Sequence, residues 1–297
     1  MKLLFAGTPE VAVPSLKVLA ERHEIVAVLT TPDAPKGRGK QLSPSPIKQA
    51  ALALGLPVVE NVEEIYALPQ KPDLGVVVAY GKLLKPQELD YFEHGWINLH
   101  FSLLPKFRGA SPVQSAILTG TLSTGMTVFR LAPGLDDGPV IASTPYQIGE
   151  SETTDEVFSA MARQGAELLH TVVEEIRLGK AIFEPQDAEN ATYTRKLLKS
   201  EARLDWTLSA EVLARKINAF SSNPGAWFEV EADGKPAQRV VALKALAGET
   251  DGGAGVVVPA GASGEDRVVL LMVKPAGKNA MPAKDWERGL HGEFKIQ

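Results

Sequence analysis

The chain has 297 residues, 44% hydrophobic and 23% charged, which is long enough for two cores and ordinary for a globular protein. It has no cysteine, which excludes disulfides, a thiol nucleophile and thiolate metal sites, and fits a reducing compartment. The net charge of -5 argues on its face against a nucleic-acid partner, but it is unevenly spread. Residues 1–189 hold 16 Lys and Arg against 23 Asp and Glu, whereas residues 190–297 hold 15 against 13.

Residues 1–7 carry one basic side chain and an apolar run too short for a signal peptide or a membrane span, so a cytoplasmic location is expected. Residues 2–6 read as a buried strand. Thr8 is placed to cap a helix with Pro9 at its first position and Glu10 in its first turn, and residues 24–30 return as a second strand. Helical segments near 46–54 and 112–118 alternate with apolar runs at 74–79 and 96–99. This pattern predicts an α/β fold with a Rossmann-like, mostly parallel sheet and helices on both faces. Ligands then meet the carboxyl ends of the strands, where the turn after Phe5, Tyr80-Gly81 and His100 emerge. Gly7-Thr8-Pro9-Glu10 lacks the three-glycine dinucleotide spacing, so neither NAD nor FAD is expected.

An amphipathic helix over 155–178, ending at Gly179, closes a first domain over 1–189. Weakly periodic sequence follows, with a linker assigned to 190–205. In the second domain, 206–297, a helix over 208–220 would place Leu208, Val212, Leu213, Ile217 and Phe220 on one side and stop at Asn223-Pro224-Gly225. Strand-like runs at 226–231, 239–246, 255–258 and 267–274 then predict a small antiparallel barrel.

The strand 95–100 carries the chemistry. Alternation puts Asn98 and His100 on one face, so an amide and an imidazole share one small space. Asp136, on a loop flanked by Gly134 and Gly138, can be brought against the imidazole. Acyl or formyl transfer to an amine needs a donor for the developing oxyanion and a proton carrier. Asn98 supplies the first, and His100 acts as second donor and proton carrier. Asp136 is expected to orient His100 and favour its charged form. Ser102 lacks the turn of a nucleophilic serine, and no metal-ligand or Walker-type spacing occurs. His23, His94, His170 and His291 read as structural.

Two stretches are basic without acids. Residues 34–59 carry Lys36, Arg38, Lys40 and Lys48, and residues 190–200 carry Arg195, Lys196 and Lys199. The first includes a loop too long for an ordinary βα connection, with Arg38 between two glycines.

The order of Asn98, His100, Ser102-Leu103-Leu104-Pro105, Arg108-Gly109 and Asp136 resembles the folate-dependent formyltransferases. Phe5-Ala6-Gly7-Thr8-Pro9-Glu10, the loop Gly37-Arg38-Gly39-Lys40 through Ser43-Pro44-Ser45-Pro46, and Ala202-Arg203-Leu204-Asp205-Trp206 narrow this to their methionyl-tRNA branch. The resemblance implies that a formyl group passes from 10-formyltetrahydrofolate to the amino group of methionyl initiator tRNA, with no metal or nucleotide cofactor and a monomeric chain. It implies that Asn98, His100 and Asp136, rather than Asp137, are catalytic. By the same resemblance Ser102 to Pro105 line the reduced-folate site, the pterin lies on backbone groups of Val78, Ala79, Tyr80 and Gly81 and the loop around Leu135, and Leu83 and Leu84 form apolar walls. Arg38, helped by Lys36 and Lys40, would enter the acceptor stem, with Arg195, Lys196 and Lys199 on phosphates. The family's barrel is oligonucleotide-binding-like, and residues 255–267 depart from its pattern where a strand is expected. The alternatives are a sugar N-formyltransferase acting on a nucleotide-linked amino sugar and a non-catalytic RNA-binding relative.

Overall fold

The computed structural model describes residues 1–36, 41–232, 236–249, 253, 255–290 and 294–297. In chain order the first elements are β1 (Lys2–Gly7), α1 (Val13–Arg22), β2 (Glu24–Leu29), the antiparallel pair β3 (Ala34–Lys36) and β4 (Gln41–Ser43), α2 (Pro46–Ala53) and β5 (Val58–Val59). There follow β6 (Leu74–Val78), α3 (Pro86–Leu89), β7 (Trp96–His100), β8 (Arg108–Gly109), α4 (Pro112–Thr119), β9 (Ser123–Arg130), β10 (Val140–Gln147), α5 (Thr154–Arg177) and β11 (Tyr193–Thr194). The chain divides into two compact units. One comprises residues 1–109, 125–146 and 158–193, and the other residues 110–124, 147–157 and 194–297.

The main sheet of the first unit runs β10-β9-β7-β6-β1-β2-β5, parallel from β7 to β5, with β9 antiparallel to β7. Every residue of β6 is buried, as a strand covered on both faces requires. Pairings of Gly7 with Val78 and of Val77 with Asn98 bring the carboxyl ends of β1, β6 and β7 level. Three backbone turns are thereby delivered to one edge. Helix α5 buries Met161, Leu169, Val172 and Val173, each worth on the order of 1.5–3 kcal/mol of transfer free energy. A Cβ on Gly165 would lie 2.8 Å from Leu99, so glycine lets α5 sit close over β7.

Thr8 caps nothing. Residues 10–12 form a short 3-10 turn before α1, and the Thr8 hydroxyl instead donates to the Tyr80 carbonyl at 3.1 Å. That carbonyl follows Ala79, whose φ of 51° leaves the local backbone outside the sheet ladder.

The second unit continues with α6 (Ala210–Phe220), β12 (Ala226–Ala232), β13 (Gln238–Ala247), β14 (Val256–Ala260), β15 (Asp266–Pro275), β16 (Met281–Pro282), α7 (Ala283–Arg288) and β17 (Phe294–Ile296). Ser209 caps α6, accepting from the Val212 amide. The helix buries Leu213, Ile217 and Phe220, but Leu208 and Val212 are exposed, against expectation. Leu208 precedes the cap and Val212 lies off the 213/217/220 stripe. The sheet curls in the order β14-β15-β13-β12-β17, with β16 added to β15. A strand does form over Val256–Ala260 and pairs along β15 from Val256–Leu270 to Ala260–Asp266. Buried Asn218 fastens α6 to this sheet, donating to the Ala245 carbonyl at 3.0 Å and accepting from its amide at 2.9 Å. Among the described residues no helix is long and apolar enough to cross a membrane.

Candidate active site

Strand β7 lies between β6 and β9, and Asn98 pairs across to both Val77 and Phe129. Its side chain shares a face with His100, while Ile97 and Leu99 are buried on the other side. The His100 ring stands edge-on to Phe129, and its Nε2 lies 2.9 Å from the Phe107 carbonyl oxygen. A carbonyl only accepts, so the proton of the neutral ring sits on Nε2 and Nδ1 carries the lone pair. Nδ1 faces Asp136 Oδ2 at 3.7 Å, within ion-pair reach of a protonated ring and too long for a direct hydrogen bond. The same carboxylate oxygen accepts the Gly109 amide at 2.7 Å.

Burial lowers the His100 pKa, opposed by the Asp136 charge and the bond to Phe107. Asp136 thus favours the charged form, as expected, but burial outweighs it. The imidazole is neutral at pH 7 and its free Nδ1 is a base. Asn98 Oδ1 is buried without a partner among the described residues. A buried amide oxygen left unpaired costs stability, and an incoming N–H would satisfy it. Three non-glycine residues with positive φ surround this edge: Ala79 at 51°, Phe107 at 58° and Asp136 at 50°.

The expected folate-side residues divide into two groups. Ser102 is fully buried and its hydroxyl donates to the Lys106 carbonyl at 2.6 Å, so it shapes the turn and presents nothing to a ligand. Thr127 braces the same turn, donating to the Ser102 carbonyl and accepting the Leu104 amide. Leu103, Leu104 and Pro105 are half-buried along it. Tyr80 turns its ring into the core beside Trp96, which leaves only its backbone, with Val78, exposed Ala79 and Gly81, at the strand edge. Leu83 is 89% exposed and Leu135 49%, apolar side chains without cover of their own; Leu84 packs partly on the core.

Arg108, which the sequence marks only within the Arg108-Gly109 motif, is buried. Its Nε and Nη2 donate to Gln186 Oε1 at 3.1 and 2.7 Å. Gln186 Nε2 donates to the Asp136 carbonyl at 2.9 Å and the Gly138 carbonyl at 2.7 Å. Sequence reading missed Gln186, because nothing local marks a lone glutamine in weakly periodic sequence.

The basic residues fare unevenly. Lys48 is held by Asp33 at 2.6 Å and Glu60 at 2.7 Å, so the acids bounding its stretch fold back on it. Arg195 is paired with Glu201, whose pKa falls to about 2 through that bond. Lys196 and Lys199 are exposed and make no ion pair with a described residue. Lys36 ends β3, while Arg38 and Lys40 lie outside the described residues. No cluster of three His, Asp or Glu side chains suited to a metal ion occurs among the described residues.

Two family models match in tandem, the formyl transferase over residues 1–173 and the formyl transferase C-terminal domain over residues 196–291. A methionyl-tRNA formyltransferase of Bifidobacterium longum (strain NCC 2705) is 40% identical over 317 residues, covering 97% of each chain. The chain belongs to the methionyl-tRNA formyltransferase family. Another relative of that name, from Mycobacterium sp. (strain KMS), is 43% identical over 300 residues and 97% of each chain. Among solved structures, the Helicobacter canadensis N-formyltransferase in complex with folinic acid and dTDP-3-aminofucose shares the fold. It has a TM-score of 0.68 and 18% identity over 91% of this chain and 98% of that one. Aquifex aeolicus HypX in complex with tetrahydrofolic acid gives 0.65 and 17% over 97% of this chain and 47% of that one.

Proposed function

We propose that the chain transfers the formyl group of 10-formyltetrahydrofolate to the α-amino group of methionyl initiator tRNA, in the cytoplasm, at Asn98, His100 and Asp136. One observation carries the assignment of roles. Asn98 Oδ1, buried and without a partner among the described residues, lies on the same strand face as an imidazole whose Nδ1 is unprotonated and faces a carboxylate. Asn98 accepts an amine N–H through Oδ1 and donates from Nδ2 to the formyl oxygen as it becomes negative. His100 takes the proton that the amine sheds as its nitrogen bonds to the formyl carbon. Asp136 stabilises the resulting imidazolium, and His100 returns the proton to the departing folate nitrogen as the old C–N bond breaks. No covalent formyl-enzyme is needed.

The reduced folate fits the strand edge formed by Val78, Ala79, Tyr80 and Gly81 and the half-buried ledge of Leu103, Leu104 and Pro105, with Leu83 and Leu135 covering its ring. Arg38, with Lys36 and Lys40, takes the acceptor-stem end, and Lys196 and Lys199 contact phosphates. Arg195 contributes less, because Glu201 already holds it.

Formylation of charged initiator tRNA against elongator methionyl-tRNA, with 10-formyltetrahydrofolate as donor, tests this reading. Preferential formylation of the initiator is expected. Transfer to a nucleotide-linked amino sugar and not to either tRNA would replace it with sugar N-formylation.

A further inference from the structure

Gln186 uses its whole hydrogen-bonding capacity on two groups far apart in sequence. Its oxygen accepts two N–H bonds from Arg108, and its NH2 donates to the carbonyls of Asp136 and Gly138, which lie 50 and 48 residues away. The amide cannot be reversed, since that would set NH2 against a guanidinium and an oxygen against two carbonyls. Arg108 is 4% exposed and makes no ion pair with a described residue, so neutral acceptors compensate its charge. A carboxylate at position 186 would neutralise Arg108 better but would face the two loop carbonyls. The amide therefore holds both groups, and the loop it holds carries Asp136.

The neighbours of Arg108 complete the clamp. The Phe107 carbonyl accepts the hydrogen bond from His100 Nε2, and the Gly109 amide donates to the Asp136 carboxylate. Three consecutive residues thus touch the imidazole, the Gln186 brace and the carboxylate in turn. Gly138 closes the loop against the Arg130 carbonyl, where a Cβ would collide. Asp136, at φ 50°, is fixed at its own carbonyl by Gln186 and at its side chain by Gly109.

We propose that Gln186, anchored by buried Arg108, is a positioning residue that sets the separation between Asp136 and His100 during formyl transfer. This rests on the roles given above to His100 and Asp136. Among the described residues Asp136 is the charged group facing His100, the other close groups being the Phe107 carbonyl and the Phe129 ring.

The test uses the full chain with Gln186→Met, Gln186→Glu, Asp136→Asn and the Gln186→Met/Asp136→Asn double variant. Measurements are kcat, both KM values and the pH profile of kcat/KM for charged initiator tRNA. Gln186→Met should lower kcat about tenfold with little change in KM for tRNA. Its acid limb should move to lower pH, because an Asp136 that drifts away no longer supports the imidazolium; a merely structural role would leave that limb in place. Gln186→Glu exchanges the neutral acceptor for an ion pair to Arg108, so it should fold and still lose kcat by repelling the loop carbonyls. The double variant should lose little more than Asp136→Asn alone. Parent kcat and parent acid limb in both Gln186 variants, with Asp136→Asn crippled, would overturn the positioning role. Parent kcat in Asp136→Asn would overturn the catalytic assignment beneath it.

Discussion

Replacing Asp136 by Asn removes one charge from the buried pair while conserving shape, and its effect can be worked from the 3.7 Å separation. When His100 accepts the amine proton, an imidazolium forms against the carboxylate. At that distance two unit charges attract by about 4.5 kcal/mol at an effective dielectric of about 20 and by about 1 kcal/mol at about 80. The side chains of His100 and Asp136 are 7% and 14% exposed, which favours the lower dielectric. Each 1.36 kcal/mol is roughly tenfold in rate, so kcat should fall by about 10²–10³. The new amide oxygen can still accept the Gly109 amide, so the loop should hold its place. Its NH2 can donate to the His100 lone pair and occupy the base, which adds to the loss. Single-turnover formylation at saturating tRNA and formyl donor isolates the chemical step from product release. A rate within about threefold of the parent would refute the reasoning.

Further outcomes follow from contacts elsewhere. Asn218→Ala leaves the Ala245 amide and carbonyl unpaired in a buried position, and should cost about 2–4 kcal/mol, read as a lower urea midpoint. Burial lowers the pKa of both His100 and His23. The unfolded chain therefore binds protons first, so their contribution is complete above the ordinary histidine pKa of 6.5 and is lost as pH falls below it. A urea midpoint that holds steady or rises between pH 7.5 and 5.5 would contradict this sign. Lys196→Ala and Lys199→Ala should each reduce the salt slope of tRNA binding by at most about one, with Arg195→Ala doing less. In Arg195→Ala the Glu201 carboxyl should titrate well above about 2 by NMR. Arg38→Ala should slow initiator formylation severely while any folate-donor hydrolysis continues, and Arg38→Lys should rescue only in part.

The main sheet was legible because its determinants are local. Runs such as 74–78 are apolar throughout, and proline and serine at 45–46 mark a helix start. Asn98 and His100 follow from strand alternation, and a glycine-flanked carboxylate made Asp136 a candidate for their partner. Side chains whose partners lie far along the chain were not legible. Thr8 has the composition of a cap, yet a carbonyl 72 residues away takes its hydroxyl. Lys48 stands in an acid-free stretch, yet the acids at either end reach it. The charge state of His100 depended on burial against one carboxylate, a balance set by packing and invisible to motif spacing.

The stretch after α5 also bears on how the chain is made and cut. The Phe107 amide donates to the Thr192 hydroxyl, 85 residues later, and the Arg108 amide to the Thr192 carbonyl. A fragment ending at Arg177 would contain Asn98, His100 and Asp136, but not the residues that fix Arg108 and the Asp136 loop. During synthesis the same holds in time: Asn98, His100 and Asp136 leave the ribosome before the segment that fastens their loops. On the roles proposed above, a fragment that keeps these contacts runs through Thr192, beyond the residue where the N-terminal family match stops.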